Sequence, residues 1–312
     1  MSNWVSYKNG NYQVQLNLKN GTKIRLIEGD KPVAATIESM DLKITNMCDV
    51  GCPMCHENSL PTGAHADLFA PSFLDTLHPY TELAIGGGNP LAHPDLYKFL
   101  CLCKERKFIP SMTVNQKHFI ERFNFLKQLR DEGLIYGLGV SLTDANSEFI
   151  DLCKEYGPNL VIHMINGIVP TAEIFKLAYK HLKVLILGYK VFRRGEKLYS
   201  KDEVKIEEAK KALKSLLPVM LQAKWFDVVS FDNLALKQLD VKSILSDKEW
   251  QQFYMGDDGI DGEQTSATLF VDLVERQFAK NSCSKERYPL MNTVEDMYNY
   301  LRGKHEDIVQ TV

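Results

Sequence analysis

Three cysteines fall within eight consecutive residues, Cys48-Asp49-Val50-Gly51-Cys52-Pro53-Met54-Cys55. The chain holds seven cysteines in 312 residues, so composition alone would yield a CxxxCxxC arrangement in only about 0.003 of such chains. Gly51 permits tight backbone and Pro53 biases Cys52 away from helix, which makes the segment a turn-rich loop carrying all three thiols. Chance, a zinc site and an iron–sulfur cluster compete for this loop. Zinc usually takes four closed ligands, commonly as two separated pairs. The nearby fourth donor, His56, adjoins Cys55 and is poorly placed to complete a tetrahedron. Iron–sulfur clusters are usually held by four thiolates. Three thiolates from one loop therefore point to a [4Fe–4S] cluster with one iron open to an outside ligand, Cys48, Cys52 and Cys55 being the metal ligands.

A second segment joins a strand pattern to a run of glycines: Leu83-Ala84-Ile85 leads into Gly86-Gly87-Gly88-Asn89-Pro90. Alone it reads equally well as a flexible turn or as a place where backbone must approach a ligand closely. The remaining cysteines form no second cluster. Cys101 and Cys103 are two apart in a helical pattern and point to opposite faces, so they cannot easily share a metal. Cys103 and Cys153 join apolar stripes and read as buried structural thiols. Cys283 lies in a polar segment, Asn281-Ser282-Cys283-Ser284-Lys285, without apolar periodic neighbours. It is either a loop thiol without a role or one that reaches a substrate. His93 reads as a helix-opening residue and His163 as one pointing inward from its strand. Lys190, Arg193 and Arg194 form a short basic cluster, either solvated or an anion site. Asp257, Asp258 and Asp261 around Gly259 suggest a mobile loop without calcium-binding spacing.

The elements that must position these residues follow from hydrophobic rhythm. Up to residue 37 the chain reads as a β-meander, with Asn9-Gly10 and Asn20-Gly21 between alternating segments as hairpin signals. From residue 38 the rhythm becomes strand, loop, helix, with strands expected at 41–45, 83–85, 111–114, 136–142, 160–165 and 183–187. Helical stripes separate them: Leu96, Phe99, Leu100 and Cys103 form one, another opens at Thr171 after Pro170, and a third near Asp202 is expected to stop at Pro218. Alternating strands and helices imply a parallel sheet with right-handed crossovers. The expected fold is α/β, a partial (βα)6 TIM-like barrel. The expected divisions are an N-terminal β-hairpin appendage (1–37), a core barrel (38–230) and an α+β C-terminal extension (231–312). The rhythm breaks after 226–230; a helix at 247–253, a hairpin of 267–273 with 276–279 and a helix near 294–301 are expected beyond it.

Charge is balanced, 37 basic against 40 acidic residues, a net of −3, which excludes a broad basic footprint for nucleic acid. An odd number of cysteines in a large chain argues against a disulfide framework and for reduced thiols or a metal site. The first residues are polar and alternating, with no signal-like apolar core, and no apolar run approaches a membrane span. A cytoplasmic protein is expected.

A CxxxCxxC loop directly after the first strand of a βα repeat resembles the signature of the radical S-adenosylmethionine (radical SAM) enzymes, of single-cluster type. The resemblance covers roughly residues 38–230. It implies that the open iron chelates the amino and carboxylate groups of S-adenosylmethionine. One electron then cleaves the sulfonium to methionine and a 5′-deoxyadenosyl radical, which abstracts hydrogen from a substrate. The residue before the third cysteine is usually aromatic in this family; here it is Met54, whose backbone carbonyl is implied to contact adenine. Gly86-Gly87-Gly88-Asn89-Pro90 is similar to the family's GGEP-type motif, whose carbonyls receive the methionyl ammonium, with Asn89 replacing the common Glu. By the same resemblance Ser141, or next Thr143, would meet the ribose hydroxyls and Asn115 would face the site. Asn166-Gly167-Ile168 resembles part of an adenine-contacting motif that lacks its following Glu, and Gly188-Tyr189 resembles the segment packed on adenine. The family's C-terminal region often closes the barrel mouth, which makes Cys283 a candidate hydrogen-atom donor to a substrate radical. Lys285 and Arg287 nearby favour thiolate and oppose that role. A reductant protein such as flavodoxin or ferredoxin is implied, with a peptide side chain or a nucleotide-derived small molecule as substrate. Whether S-adenosylmethionine is consumed or regenerated stays open. The competing reading is a non-catalytic iron–sulfur or zinc protein, for which the glycine motif would be superfluous.

Overall fold

The computed structural model describes residues 3–29, 32–253 and 267–309; the segment with Asp257, Asp258 and Asp261 lies outside them. The chain starts with an antiparallel sheet of β1 (Trp4–Asn9), β2 (Tyr12–Asn17) and β3 (Lys23–Ile27), in that order. Gly10 and Gly21 make its turns at positive φ, as the Asn-Gly pairs predict. Alternation in β2 buries Tyr12, Val14 and Leu16 on one side. The sheet is anchored through buried Glu38, which takes both Arg25 Nε at 2.9 Å and Arg25 Nη2 at 3.0 Å, with Lys23 at 3.1 Å and the Tyr12 hydroxyl at 2.5 Å. Burial pushes the Glu38 carboxyl up, but these donors outweigh it and hold it below the usual range.

From residue 39 strands and helices alternate: β4 (Ser39–Thr45), β5 (Glu82–Gly87), α1 (Leu96–Glu105), β6 (Ile109–Asn115), α2 (Gln116–Glu121), α3 (Phe123–Asp131), β7 (Gly137–Ser141), α4 (Ser147–Tyr156), β8 (Leu160–Ile165), α5 (Thr171–Leu177), β9 (Lys183–Leu187), α6 (Arg194–Gln222) and β10 (Val228–Phe231). The chain continues through α7 (Asn233–Leu239), α8 (Asp247–Phe253), β11 (Thr268–Asp272), β12 (Gln277–Ala279), β13 (Tyr288–Pro289) and α9 (Val294–Val309). Strands β4 to β10 pair in parallel, each with the next. β11 adds in parallel to the other side of β4, and β12 and β13 follow antiparallel. The fold is thus α/β, around one ten-stranded, mostly parallel sheet.

Two expectations are corrected. From β4 to β10 the parallel strands number seven and not six, because β10, only four residues long and within the stretch where the rhythm is expected to break, pairs in register with β9. A strand that short carries too few alternations to announce itself. Nor does Pro218 stop a helix: α6 runs on to Gln222. Proline removes one helical donor, but Leu217 and Met220 on either side of it are fully buried, and that packing holds the last turn. The break in α6 lies instead at Asp202, whose φ of −124° and ψ of 28° kink it.

The two faces of the sheet differ. Met40, Leu42 and Ile44 of β4, Leu83 and Ile85 of β5, Met112 and Val114 of β6, and Ile162 and Met164 of β8 are almost wholly buried on one face. Several of their alternates, Asp41, Ala84, Thr113, Asn115, Ser141 and His163, stay accessible on the other, where Lys43 and Thr45 are buried. Parallel sheets normally carry apolar residues on both faces because both are covered. Here one face is polar and open, and the cysteine loop leaves β4 at the end of that face. No helix among the described residues is long and apolar enough to cross a membrane.

Candidate functional site

The cysteine loop is held by its own backbone and by its neighbours. Cys48 N–H donates to Leu60 O at 2.9 Å, Cys55 N–H to Cys52 O at 3.2 Å and Asn58 N–H to Cys55 O at 3.3 Å. All three cysteines are free thiols of intermediate burial. Burial pushes the Cys48 and Cys52 thiols up, while the charge of Arg194 pulls both the other way. Asp49, inside the loop, pairs with Lys117 and with His118 Nε2 of α2, each at 2.6 Å. Those hydrogen bonds, Lys117 first, hold the Asp49 carboxyl far below the usual range. Asn115 caps α2, its Oδ1 accepting Lys117 N–H at 2.9 Å, and its Nδ2 lies 4.0 Å from Cys52 Sγ. Strand register sets Asn115, Ser141 and His163 side by side across β6, β7 and β8.

The glycine run packs directly on the strand that leads into this loop. Gly88 N–H donates to Thr45 O at 2.7 Å and Asn89 N–H to Met47 O at 2.6 Å. A Cβ on Gly87, which has φ of +106°, would lie 2.5 Å from Thr45 O, and one on Gly88 would lie 2.2 Å from Met47 O. Two of the three glycines therefore answer to the chain's own backbone. Gly86 alone looks into open space, with no atom within 4 Å of an added Cβ. Asn89 Oδ1 caps the following turn through Leu91 N–H at 3.1 Å, and Pro90 is buried.

The basic cluster is engaged with the cysteine loop. Arg193 Nη1 donates to Glu57 O at 2.8 Å and Arg194 Nη2 to Ser59 O at 2.5 Å, so both grip the stretch after Cys55. Arg193 takes a strained φ of 52° to aim its side chain there. Gly195 follows because a Cβ would lie 2.2 Å from Lys190 O and 3.3 Å from Met54 O, which puts the Met54 carbonyl against the start of α6. Lys190 Nζ donates to Ser282 Oγ at 2.9 Å and lies 3.3 Å from His56 Nε2. Ser282 precedes Cys283, a thiol of intermediate burial, so the C-terminal segment meets the rim of the cysteine loop.

Beneath the loop lies a buried ion cluster. The Lys43 side chain is 1 % exposed, and its Nζ sits 2.9 Å from both Glu57 Oε2 and Asp272 Oδ2. It ties the cysteine loop to β11. Burial pushes Glu57 up, but the bond from His56 and the charge of Lys43 prevail and hold it well below the usual range. Asp41, on the open face two residues before Lys43, is desolvated by the surrounding walls, which push its carboxyl up against the pull of Lys190. Burial alone lowers His163 to about 4, so it is neutral at pH 7, and its Nδ1 has no partner among the described residues. None of Lys43, Glu57, Asp272 or Asp41 was singled out from sequence. The period of two in β4 does contain a signal, since it puts Asp41, Lys43 and Thr45 on the face opposite Met40, Leu42 and Ile44.

Other expected contacts are spent within the chain. Tyr189 N–H donates to Gln238 Oε1 and its carbonyl accepts from Gln238 Nε2, both at 2.9 Å. Gly188 N–H donates to Asp232 Oδ1 at 2.8 Å, and Asn166 is buried with its Nδ2 on Gln238. Thr143 N–H is taken by Gln116 Oε1. Ser141 remains on the open face. His93 accepts Asp95 N–H at 3.1 Å and opens α1 as expected, and burial pushes Cys103 and Cys153 up to about 12.

The whole architecture is similar to that of a solved protein of Streptococcus suis, SuiB. The match to SuiB bound to its precursor peptide SuiA has a TM-score of 0.60 at 12% identity, covering 95% of this chain and 87% of that one. SuiB bound to S-adenosylmethionine matches with a TM-score of 0.63 at 12% identity, covering 97% and 89%. By sequence, 156 residues are 23% identical to 7,8-dihydro-6-hydroxymethylpterin dimethyltransferase of Methanocaldococcus jannaschii, spanning 42% of this chain and 29% of that protein. With the CxxxCxxC loop placed at the end of the first parallel strand, these findings agree. The likeness in fold and sequence is in keeping with the resemblance to the radical SAM enzymes that the cysteine loop carries. No protein-family model matches it.

The residues fit the superfamily's cluster. Three buried polar atoms beside the loop, Asn46 Oδ1, Ser59 Oγ and Arg194 Nε, have no partner among the described residues, as expected where a further group belongs. No three His, Cys, Asp or Glu side chains among the described residues converge on a single-ion site.

Proposed function

We propose that the chain is a cytoplasmic radical SAM enzyme in which Cys48, Cys52 and Cys55 hold a [4Fe–4S] cluster and the ten-stranded sheet curls as a partial barrel around its open face. The observation that carries this reading is that Cys52 borders the row of Asn115, Ser141 and His163. Thiols for a cluster and an uncovered polar wall thus adjoin. When bound, the cluster supplies one electron for reductive cleavage of S-adenosylmethionine to methionine and a 5′-deoxyadenosyl radical. The chain's residues bind and orient. Gly86 to Pro90 offer backbone at the methionyl end, with Gly86 leaving room for it. Ser141 meets ribose hydroxyls, and the turns at Met54, Asn166, Gly188 and Tyr189 frame the adenine side. Asp41 and His163 line the wall below, where a peptide side chain or a nucleotide-derived small molecule would lie. A flavodoxin or ferredoxin supplies the electron in the cell.

The test is anaerobic incubation of the dithionite-reduced protein with S-adenosylmethionine. Formation of 5′-deoxyadenosine and methionine is expected; a protein that holds its cluster yet neither binds nor cleaves S-adenosylmethionine is instead a non-catalytic iron–sulfur protein. Deuterated candidate substrates, among them peptides and the dihydrohydroxymethylpterin of the curated relative's name, would then pass deuterium to 5′-deoxyadenosine. Within the same assay, Cys283→Ala separates the two readings of that thiol. If Cys283 gives a hydrogen atom to the substrate radical, 5′-deoxyadenosine still forms while product is lost or diverted; normal product removes the role.

The glycine motif has its own test. Gly86→Val should leave iron content intact and weaken S-adenosylmethionine binding at least about tenfold. Hydrogen bonds to a charged group contribute about 1.5–3 kcal/mol each, and the side chain would block them. Gly87→Val is a poorer probe, because its Cβ would press on Thr45 O and disturb the cysteine loop as well. Unchanged binding by the Gly86 variant, measured by equilibrium titration, would reduce the motif to a turn.

A further inference from the structure

We propose that Asn115 is a fixed hydrogen-bond donor to the Cys52 sulfur and raises the reduction potential of the cluster held there. The inference rests on the cluster assignment above. A side-chain amide has one accepting and one donating end, and here the fold decides which faces the sulfur. Asn115 Oδ1 is committed to Lys117 N–H at 2.9 Å as the cap of α2. Flipping the amide would set its NH2 against that N–H. The donating end is therefore left 4.0 Å from Cys52 Sγ. The spacing is rigid, because the two residues that follow Gln116 also grip the loop, Lys117 and His118 both holding Asp49 at 2.6 Å. Gln116 in turn holds Asp144 O and the N–H groups of Thr143 and Asp144.

A donor to a cluster sulfur favours the reduced state, which carries one more negative charge, and so makes the cluster easier to reduce. Arg194 adds to this as the cation beside Cys48 and Cys52, with its Nε unpartnered. Neither residue needs to touch S-adenosylmethionine for this effect.

Capping and donation can be separated by substitution. Serine caps a helix as well as asparagine does, so Asn115→Ser keeps α2 capped and removes the amide. The experiment is an EPR-monitored redox titration of the reconstituted full chain with dithionite, beside the melting temperature and iron content of each variant. Asn115→Ser should melt and load iron as the parent does, while its reduction equilibrium shifts about tenfold toward the oxidised state, 59 mV for a one-electron couple. Asn115→Asp, which keeps the cap and adds a negative charge, should shift further in the same direction. A midpoint unchanged in Asn115→Ser overturns the inference and leaves the cluster assignment standing. A parent protein that holds no cluster overturns the assignment itself, and the inference with it.

Discussion

Replacing Cys48, Cys52 and Cys55 together by alanine should strip all iron from the anaerobically reconstituted protein. The parent should be brown, carry about four irons per chain, and change its reduced EPR spectrum on adding S-adenosylmethionine. All three properties should vanish in the triple variant. The expected effect is complete because no other cysteines can take over. Cys103 and Cys153 are buried in the apolar layer with thiols pushed up to about 12, so they remain protonated. Cys101 is exposed on α1, and Cys283 at the rim is a single thiol, which cannot replace three. Thiolate, and not thiol, is the ligand. A triple variant that kept its iron would end the cluster assignment.

Lys43→Met should destabilise the folded chain by about 3–5 kcal/mol, the typical cost of removing one member of a buried ion pair. The side chain it replaces is 1 % exposed and is the shared ion-pair partner of Glu57 and Asp272. Methionine fills a similar volume but leaves two buried carboxylates with no lysine between them. Urea unfolding followed by circular dichroism measures the change. The combination of Lys43→Met with Glu57→Gln and Asp272→Asn should recover most of the loss, since exchanging a whole buried ion set for neutral groups costs little. The single variant should also load less iron, because Glu57 lies two residues beyond Cys55 and would no longer be pinned to β11. Parent-like stability in Lys43→Met would show the cluster of charges to be energetically idle.

Much of the site was readable because its chemistry is local. The spacing of Cys48, Cys52 and Cys55 names a candidate ligand set without any fold, since three thiols on eight residues must lie close in space. The Asn-Gly turns and the alternation of Tyr12, Val14 and Leu16 defined the N-terminal sheet for the same reason: hairpin signals and strand periodicity act over a few residues. The stripe of Leu96, Phe99, Leu100 and Cys103 likewise gave α1 and its buried face. Sequence alone also ordered the βα units, and with them the place of both motifs at strand ends.

Tertiary structure decided what long-range pairing controls. Nothing local to Thr268–Asp272 says that β11 will lie parallel to β4, yet this pairing brings Asp272 to Lys43 and joins the C-terminal segment to the cysteine loop. The glycine run looked like a single device for close approach to a ligand. Packing divides it, with Gly87 and Gly88 pressed on Thr45 and Met47 while Gly86 stays open. Arg193 and Arg194 read as a basic cluster of unknown purpose, and only the strained turn before α6 shows that they bind the carbonyls of Glu57 and Ser59. The same holds for Asn115, whose amide direction depends on capping α2. A residue's type and neighbours determine what bonds it can make, but which partner it meets depends on contacts across tens to hundreds of residues, and those exist only once the sheet has formed.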